Sequence, residues 1–311
     1  MKILISAHTY NGFGLGNIYR MLSLYSYLKN HTNWMVDFES SLTIAYDLAK
    51  QNGIHVSEPK EDKYDYDVIL YDSPYNFLYE KNCKGEKERI MFLKKKTDKL
   101  IAFDDCRFEE NNSDIAINLY NHNALRINSY KGTIYSGLEY AILKSEIVNA
   151  KKRSPNHSDS RKILLTLGGE DPAGITMRIV EQYLKYIDRF TIVIGAAYRK
   201  KNELAELVNG RTALLQSINN MGELMQQHDI VICSGGTTLL EALYLQKAII
   251  PIPQSSFEEV FIGNIKSDFY DIADIPSLLE QDISLRCYRN DIVDGKGLER
   301  IKNIISNKNK L

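Results

Sequence analysis

The sequence predicts an α/β protein of two doubly wound parallel-sheet domains facing an interdomain cleft. Three observations carry this. Short apolar runs alternate with helical patterns nearly throughout, and strands separated by helices pair in parallel. At 311 residues the chain is too long for one average domain. The segment 151–161, Lys-Lys-Arg-Ser-Pro-Asn-His-Ser-Asp-Ser-Arg, is polar and aperiodic, and the strand–helix alternation restarts after it. The expected organisation is a domain at 1–150, a linker at 151–161, a second domain at 162–290 and a C-terminal helix at 291–311.

In chain order, 2–6 reads as a strand and 18–28 as a helix, with Met21, Leu22, Leu24 and Leu28 at core spacing. A second strand follows at 34–38, then a helix at 42–52 that stops at Gly53. Further strands are expected at 68–71, 100–103 and 115–118. Beyond the linker come a strand at 163–167 followed by Gly168-Gly169, a helix from about 173 to 186, and a strand at 190–194 that ends at Gly195. An extended piece at 214–216, a helix at 221–227 and strands at 230–233 and 248–252 complete this half. The Lys- and Asn-rich tail after Gly297 reads as an amphipathic helix that frays. Open α/β sheets bind ligands at the carboxyl ends of their strands, so the expected site lies there.

Composition narrows the function classes. Hydrophobic residues make up 44% and charged residues 25%, ordinary for a globular protein. A net charge of −1 leaves no electrostatic footprint for nucleic acid. Cys83, Cys106, Cys233 and Cys287 are far apart and form no C-x-x-C pair, which argues against a zinc site or a disulfide framework and for free thiols in a cytoplasm. His122 and His228 have no acidic or cysteine partners at metal spacing and read as surface or packing residues, so no metal or cofactor is expected. No segment approaches the roughly 18 apolar residues of a membrane span. The opening run, Met1-Lys-Ile-Leu-Ile5, is too short for a signal peptide.

The most informative stretch is Cys233-Ser-Gly-Gly-Thr-Thr-Leu-Leu-Glu-Ala-Leu-Tyr244. A buried strand ending in Gly-Gly at a helix start aims backbone N–H groups at one point, where the helix dipole adds positive charge. Gly235 and Gly236 allow an anion close to the backbone, and Thr237 and Thr238 add hydroxyl donors. Glu241 lies one turn after Thr237, within reach of a sugar diol beside that phosphate. This suits a nucleoside diphosphate. The competing reading is that Gly-Gly merely permits close strand–helix packing.

Near the N-terminus, His8-Thr-Tyr-Asn-Gly-Phe-Gly-Leu-Gly-Asn-Ile-Tyr-Arg20 places Gly12, Gly14 and Gly16 ahead of a helix. Asp37 and Glu39, about 20 residues on, fit a dinucleotide fingerprint loosely, but the G-x-G-x-G spacing and the long loop do not. The alternatives are a loop that covers a phosphate or sugar, and a plain connector.

The loop Gly14-Leu-Gly-Asn-Ile-Tyr-Arg20 resembles the G-x-G-H-x-x-R loop of the pseudaminic-acid pathway UDP-sugar hydrolase family. Ser136-Gly-Leu-Glu-Tyr-Ala-Ile-Leu143, Leu167-Gly-Gly-Glu-Asp-Pro172, Asn220-Met-Gly-Glu-Leu-Met225 and the 233–244 motif match in the same order and cover most of the chain. That family has the glycosyltransferase-B fold and is similar to the N-acetylglucosaminyltransferase that completes lipid II. The resemblance implies a UDP-sugar with its diphosphate near Gly235, Gly236, Thr237 and Thr238, its ribose near Glu241, and its uracil held by backbone near Gly195 and Met221. Gly169 in the second glycine loop, with Gly14 and Gly16 in the first, joins this expected substrate-binding set.

One departure matters. The loop histidine proposed as the base in that family is Asn17 here, and an amide takes no proton at neutral pH. His8, in the same loop, is one replacement, since an unperturbed imidazole titrates near 6.5; a structural imidazole is the other reading. Asp72 reads as a base or a helix cap, Asp104 and Asp105 rather as caps. The expected reaction is inverting cleavage of the anomeric C–O bond of a UDP-sugar with release of UDP. Asn17 favours transfer to a glycan or small-molecule acceptor. Hydrolysis and non-catalytic UDP-sugar binding are the alternatives.

Overall fold

The computed structural model describes residues 1–9, 15–40, 43–57, 65–73, 83–103, 113–119, 130, 132–150, 162–265, 271–280 and 292–307. Gly12, Gly14, the 151–161 segment, Asp104, Asp105, Cys106, His122 and Cys287 lie outside them. The chain divides into two compact units, Met1–Ile142 with Gly295–Leu311, and Leu143–Asp294.

The first unit carries a seven-stranded sheet of β1 (Lys2–Ala7), β2 (Met35–Glu39), β3 (Val56–Ser57), β4 (Tyr66–Asp72), β5 (Thr97–Phe103), β6 (Ile115–Asn118) and β7 (Thr133–Ser136). Their order is β3-β2-β1-β4-β5-β6-β7 and all pairs are parallel. Helices α1 (Gly16–His31), α2 (Thr43–Gln51) and α3 (Cys83–Lys94) connect strands. Successive side chains of a strand point to opposite faces, and β1 shows this directly. Ile3, Ile5 and Ala7 join the core beneath α1 and α2, while Leu4 packs with Ile69, Tyr71, Leu93 and Leu100 on the other face. A strand covered on both faces reads as a continuous apolar run, which is why β1 is legible in sequence.

The second unit carries a five-stranded parallel sheet, β10-β9-β8-β11-β12, from β8 (Ile163–Thr166), β9 (Phe190–Ile194), β10 (Ala213–Gln216), β11 (Ile230–Cys233) and β12 (Ala248–Pro251). Its helices are α4 (Ser145–Ala150), α5 (Ile175–Gln182), α6 (Lys201–Val208), α7 (Met221–Gln226), α8 (Thr237–Tyr244), α9 (Ser256–Ile265) and α10 (Ile275–Glu280). This unit takes in Leu143–Ala150, ahead of the polar segment, because α4 packs on α7. The contact is close: a Cβ on Gly222 would stand 2.8 Å from the Ala150 Cβ. The expected helix at 173–186 is shorter. Gly174 adopts a left-handed conformation with φ 65°, and Asp171 accepts hydrogen bonds from the Ile175 and Thr176 N–H groups at 2.9 and 2.8 Å. That cap fixes the start of α5 at Ile175. The helix ends at Gln182, and a separate 3₁₀ turn, Leu184–Arg189, follows.

The last helix, α11 (Gly297–Ser306), belongs to the first unit. Ile301, Ile304 and Ile305 are buried in its core. Arg300 donates to the Glu139 carbonyl at 2.8 Å, and Lys99 Nζ donates to the Asn307 carbonyl at 2.6 Å. Among the described residues, no helix is long and apolar enough to cross a membrane.

Candidate functional site

In the second unit, β11 runs into α8 through Ser234, Gly235 and Gly236. The two glycines answer different needs. A Cβ on Gly235 would stand 2.8 Å from the Glu258 Cβ on α9, so this position is glycine for packing. A Cβ on Gly236 would meet only the Ser234 hydroxyl oxygen, at 3.9 Å, and its backbone is extended at φ −102°, ψ −153°. Packing does not demand glycine at 236. Open space beside the first N–H groups of α8 does suit an anion.

The donors of this turn are partly engaged. Glu258 accepts hydrogen bonds from the Gln254 N–H at 2.7 Å, the Gly235 N–H and the Ser234 hydroxyl. Burial raises the Glu258 pKa, and these three bonds oppose the rise. A carboxylate of the protein thus already sits against part of the turn, while Thr237 and Thr238 form the first turn of α8.

Glu241 follows one turn along α8 and is only 5% exposed. Burial pushes its pKa up to about 7. Lys144 Nζ, 3.9 Å away, pulls it down, and the Glu146 carboxylate adds to the rise. A buried carboxyl that titrates near neutrality beside a half-exposed ammonium is poised to accept hydroxyl hydrogen bonds. Cys233 is buried beneath the turn, which raises its thiol pKa.

The neighbouring strand ends complete this edge of the sheet. Gly168 has φ +86°, and Gly169 has nothing within 4 Å of a built Cβ. Gly195 could carry no side chain at all, since its Cβ would stand 2.3 Å from Gly169 backbone atoms. The Gly195 carbonyl accepts from the Tyr198 N–H at 3.2 Å and from Gln216 Nε2 at 3.3 Å. Met221 opens α7 and is half-buried, and the next N–H, of Gly222, donates to Glu146 at 2.9 Å. His228 lies elsewhere in this unit. Its Nδ1–H donates to the Leu224 carbonyl at 2.7 Å, so Nε2 accepts from the Thr191 hydroxyl at 2.8 Å. Burial lowers its pKa, as suits a neutral packing imidazole.

In the first unit, a buried polar cluster gathers at the carboxyl ends of β1, β2 and β4. His8 follows β1, and its N–H donates to the Asp72 carbonyl at 2.9 Å. The ring lies 5.9 Å from that of Tyr71. Asn17, in the first turn of α1, donates its amide to the His8 carbonyl. That bond joins the two ends of the glycine loop, with Gly16 the first residue of α1. Asp72 is 0% exposed and accepts two bonds from Arg20, from Nε and Nη2, each at 2.7 Å. A bidentate pair of this kind holds both carboxylate oxygens in one plane. On the other side, the Ser6 hydroxyl donates to Glu39 at 2.6 Å, and Arg89 Nη2 meets the same carboxylate oxygen at 2.6 Å.

Sequence reading missed Ser6, Arg89, Lys144, Glu146 and Glu258, and Arg20 entered only as the end of the glycine-loop match. Arg20 had a signal, since it closes that motif. Glu39, which fits a dinucleotide fingerprint loosely in the sequence, receives Ser6 and Arg89. Ser6, Lys144, Glu146 and Glu258 each also engage partners distant in sequence, at Glu39, Glu241, Gly222 and Gly235.

Comparison with known proteins adds a family match, two relatives and two solved structures. Residues 163–262 match the model of the Glycosyltransferase family 28 C-terminal domain. The chain is 26% identical over 288 residues to an uncharacterised protein of Methanocaldococcus jannaschii, MJ1062, covering 83% of this chain but only 57% of that protein's length. It is 23% identical to the spore coat polysaccharide biosynthesis protein SpsG of Bacillus subtilis, over 94% of each chain. Among solved structures, Acinetobacter baumannii MurG superposes with a TM-score of 0.56 at 10% identity, covering 98% of both chains. Staphylococcus aureus MnaA, solved with UDP, superposes with a TM-score of 0.58 at 12% identity, covering 98% of this chain and 95% of that one. The fold is therefore glycosyltransferase-B-like, with a parallel α/β sheet in each unit.

Proposed function

We propose that this protein is a nucleotide-sugar-processing enzyme of surface-glycan biosynthesis, with the second unit as its UDP-sugar-binding domain. The observation that carries the reading is the β11–α8 turn. Gly236 is open where packing requires no glycine, and Glu241 sits buried one helical turn further on. The diphosphate would lie against the N–H groups and hydroxyls of Thr237 and Thr238, and the ribose diol against Glu241. Uracil would lie near Gly195 and Met221, with Gly169 at the same edge of the second unit's sheet. The match of residues 163–262 to a glycosyltransferase domain supports this, as does the likeness to a fold solved elsewhere with UDP. The relation to a polysaccharide biosynthesis protein supports the glycan assignment.

In the proposed reaction the attacking hydroxyl oxygen bonds to the anomeric carbon from the face opposite the diphosphate. The bond from that carbon to the diphosphate oxygen breaks, and UDP leaves with the electron pair. His8 takes the proton of the attacking hydroxyl. Asp72, held through both carboxylate oxygens by Arg20, ties α1 to β4 as a positioning residue. Asn17 carries the carbonyl of His8 on its amide and cannot deprotonate water, which favours transfer over hydrolysis.

Product analysis with a panel of UDP-sugars, with and without glycan acceptors, tests this. UDP released only when acceptor is present is the expected result. Free sugar released without acceptor would replace transferase by hydrolase. Tight UDP binding with neither product would leave a binding protein.

A further inference from the structure

Ser6 and His8 are two residues apart at the carboxyl end of β1, and parallel register sets Ser6 directly beside Glu39 on β2. The Ser6 hydroxyl oxygen is 2.6 Å from Glu39 Oε1 and 2.9 Å from His8 Nε2, and all three residues are buried. Glu39 Oε1 also accepts from Arg89 Nη2 at 2.6 Å, from α3, so this carboxylate oxygen is the acceptor for both neighbours. A serine hydroxyl has a single proton. Committed to Glu39, that proton cannot also serve His8, so the Ser6 oxygen must accept from His8. In a neutral imidazole the proton is then on Nε2 and the lone pair on Nδ1.

We propose that Ser6 and Glu39 are positioning residues that hold His8 as the Nε2–H tautomer, making Nδ1 the nitrogen that takes the proton of the attacking hydroxyl. This rests on the reading of His8 as the base. The groups around the ring agree with it. Tyr71 from β4 presents its ring, and the Asp72 carboxylate from the same strand is tied to Arg20 of α1. Glu39 from β2 and Arg89 from α3 act through Ser6. When Nδ1 gains the proton, the imidazolium keeps its Nε2–H bond to Ser6, and the buried Glu39 charge faces the new positive charge across one hydroxyl.

The tautomer can be read without substrate. Full-length protein labelled with ¹⁵N in histidine gives long-range ¹⁵N–¹H correlations that distinguish a protonated from an unprotonated ring nitrogen. The His8 signals are those lost in His8→Gln. The expected wild-type spectrum, above the titration of the ring, has Nε2 protonated and Nδ1 bare. Ser6→Ala should lose this single tautomer and Ser6→Thr, which keeps the hydroxyl, should retain it. In turnover, Ser6→Ala should lower kcat on the order of tenfold with KM unchanged, the effect of one lost hydrogen bond, and Ser6→Thr should restore it. A wild-type His8 protonated on Nδ1 overturns the proposal even if neither Ser6 variant folds, as does an unchanged tautomer in Ser6→Ala. Full turnover in His8→Ala would instead reject His8 as the base, whatever the tautomer.

Discussion

Replacing His8 with alanine is expected to reduce turnover about 10²–10⁴-fold, the usual size of a general-base contribution. UDP affinity should barely change. A base acts in the transition state, so its loss appears in kcat and not in ground-state binding. His8 is buried in the first unit, where it bonds to Ser6, to the backbone of Asp72 and to the Asn17 amide. Asn17→His makes the companion test. It should leave UDP affinity near wild type, because the β11–α8 turn is untouched, and it raises water attack if an imidazole at 17 can take a proton. Steady-state kinetics on both variants, with calorimetry for UDP, separates the two effects. Full activity in His8→Ala would remove His8 from the mechanism.

Asp72→Ala is expected to destabilise the first unit by about 3–5 kcal/mol, the cost of breaking a buried ion pair from one side. Asp72 is 0% exposed and the Arg20 side chain 13%. Removing the carboxylate leaves a nearly buried guanidinium over the Phe103 ring without its two charge-assisted bonds. Replacing both partners, as Arg20→Met with Asp72→Leu, should recover most of the loss, because an apolar pair needs no desolvation to be repaid. With two units the whole chain need not unfold in one step, so a local probe is required. Trp34 is the single tryptophan and packs on the first unit's core, so its fluorescence during urea unfolding reports the relevant transition. An Asp72→Ala midpoint equal to wild type would show that the pair contributes nothing.

Elements covered on both faces were legible as apolar runs, and β1, β4 and β11 are the clearest examples. Helix ends set by side-chain caps were less so. The start of α5 depends on Asp171 reaching two N–H groups, which periodicity does not encode. β7 was missed because Thr133–Ser136 is half-buried throughout and mixes polar with apolar residues. The return of α11 to the first unit is what the family resemblance implies; the close approach of Gly297 to Ala141 that accompanies it has no local signature. Within the candidate site, local motifs were readable and long-range partners were not. The Gly-Gly-Thr-Thr turn and Glu241 stand on one short stretch of chain. Ser6 and Glu39 are 33 residues apart and meet through sheet register, while Glu39 and Arg89, 50 apart, meet because α3 brings Arg89 to the end of β2. The different duties of Gly235 and Gly236 depend on where α9 runs. Glu258 on that helix engages donors that the sequence alone would leave open for a ligand.

The measurement that bears most directly on the nucleotide site is a calorimetric titration with UDP of wild type, Gly236→Val and Glu241→Ala. A Cβ is accommodated at 236, where the backbone is extended and the nearest atom to it is 3.9 Å away. The valine methyl groups would fill the space an incoming phosphate needs, so Gly236→Val should fold and lose UDP. Glu241→Ala should weaken binding by about 1–3 kcal/mol, one or more good hydrogen bonds to the ribose. Wild-type affinity should survive a chelator, since helix N–H groups and threonine hydroxyls neutralise the diphosphate. Folded variants that both bind UDP as wild type does would contradict the assignment of this turn.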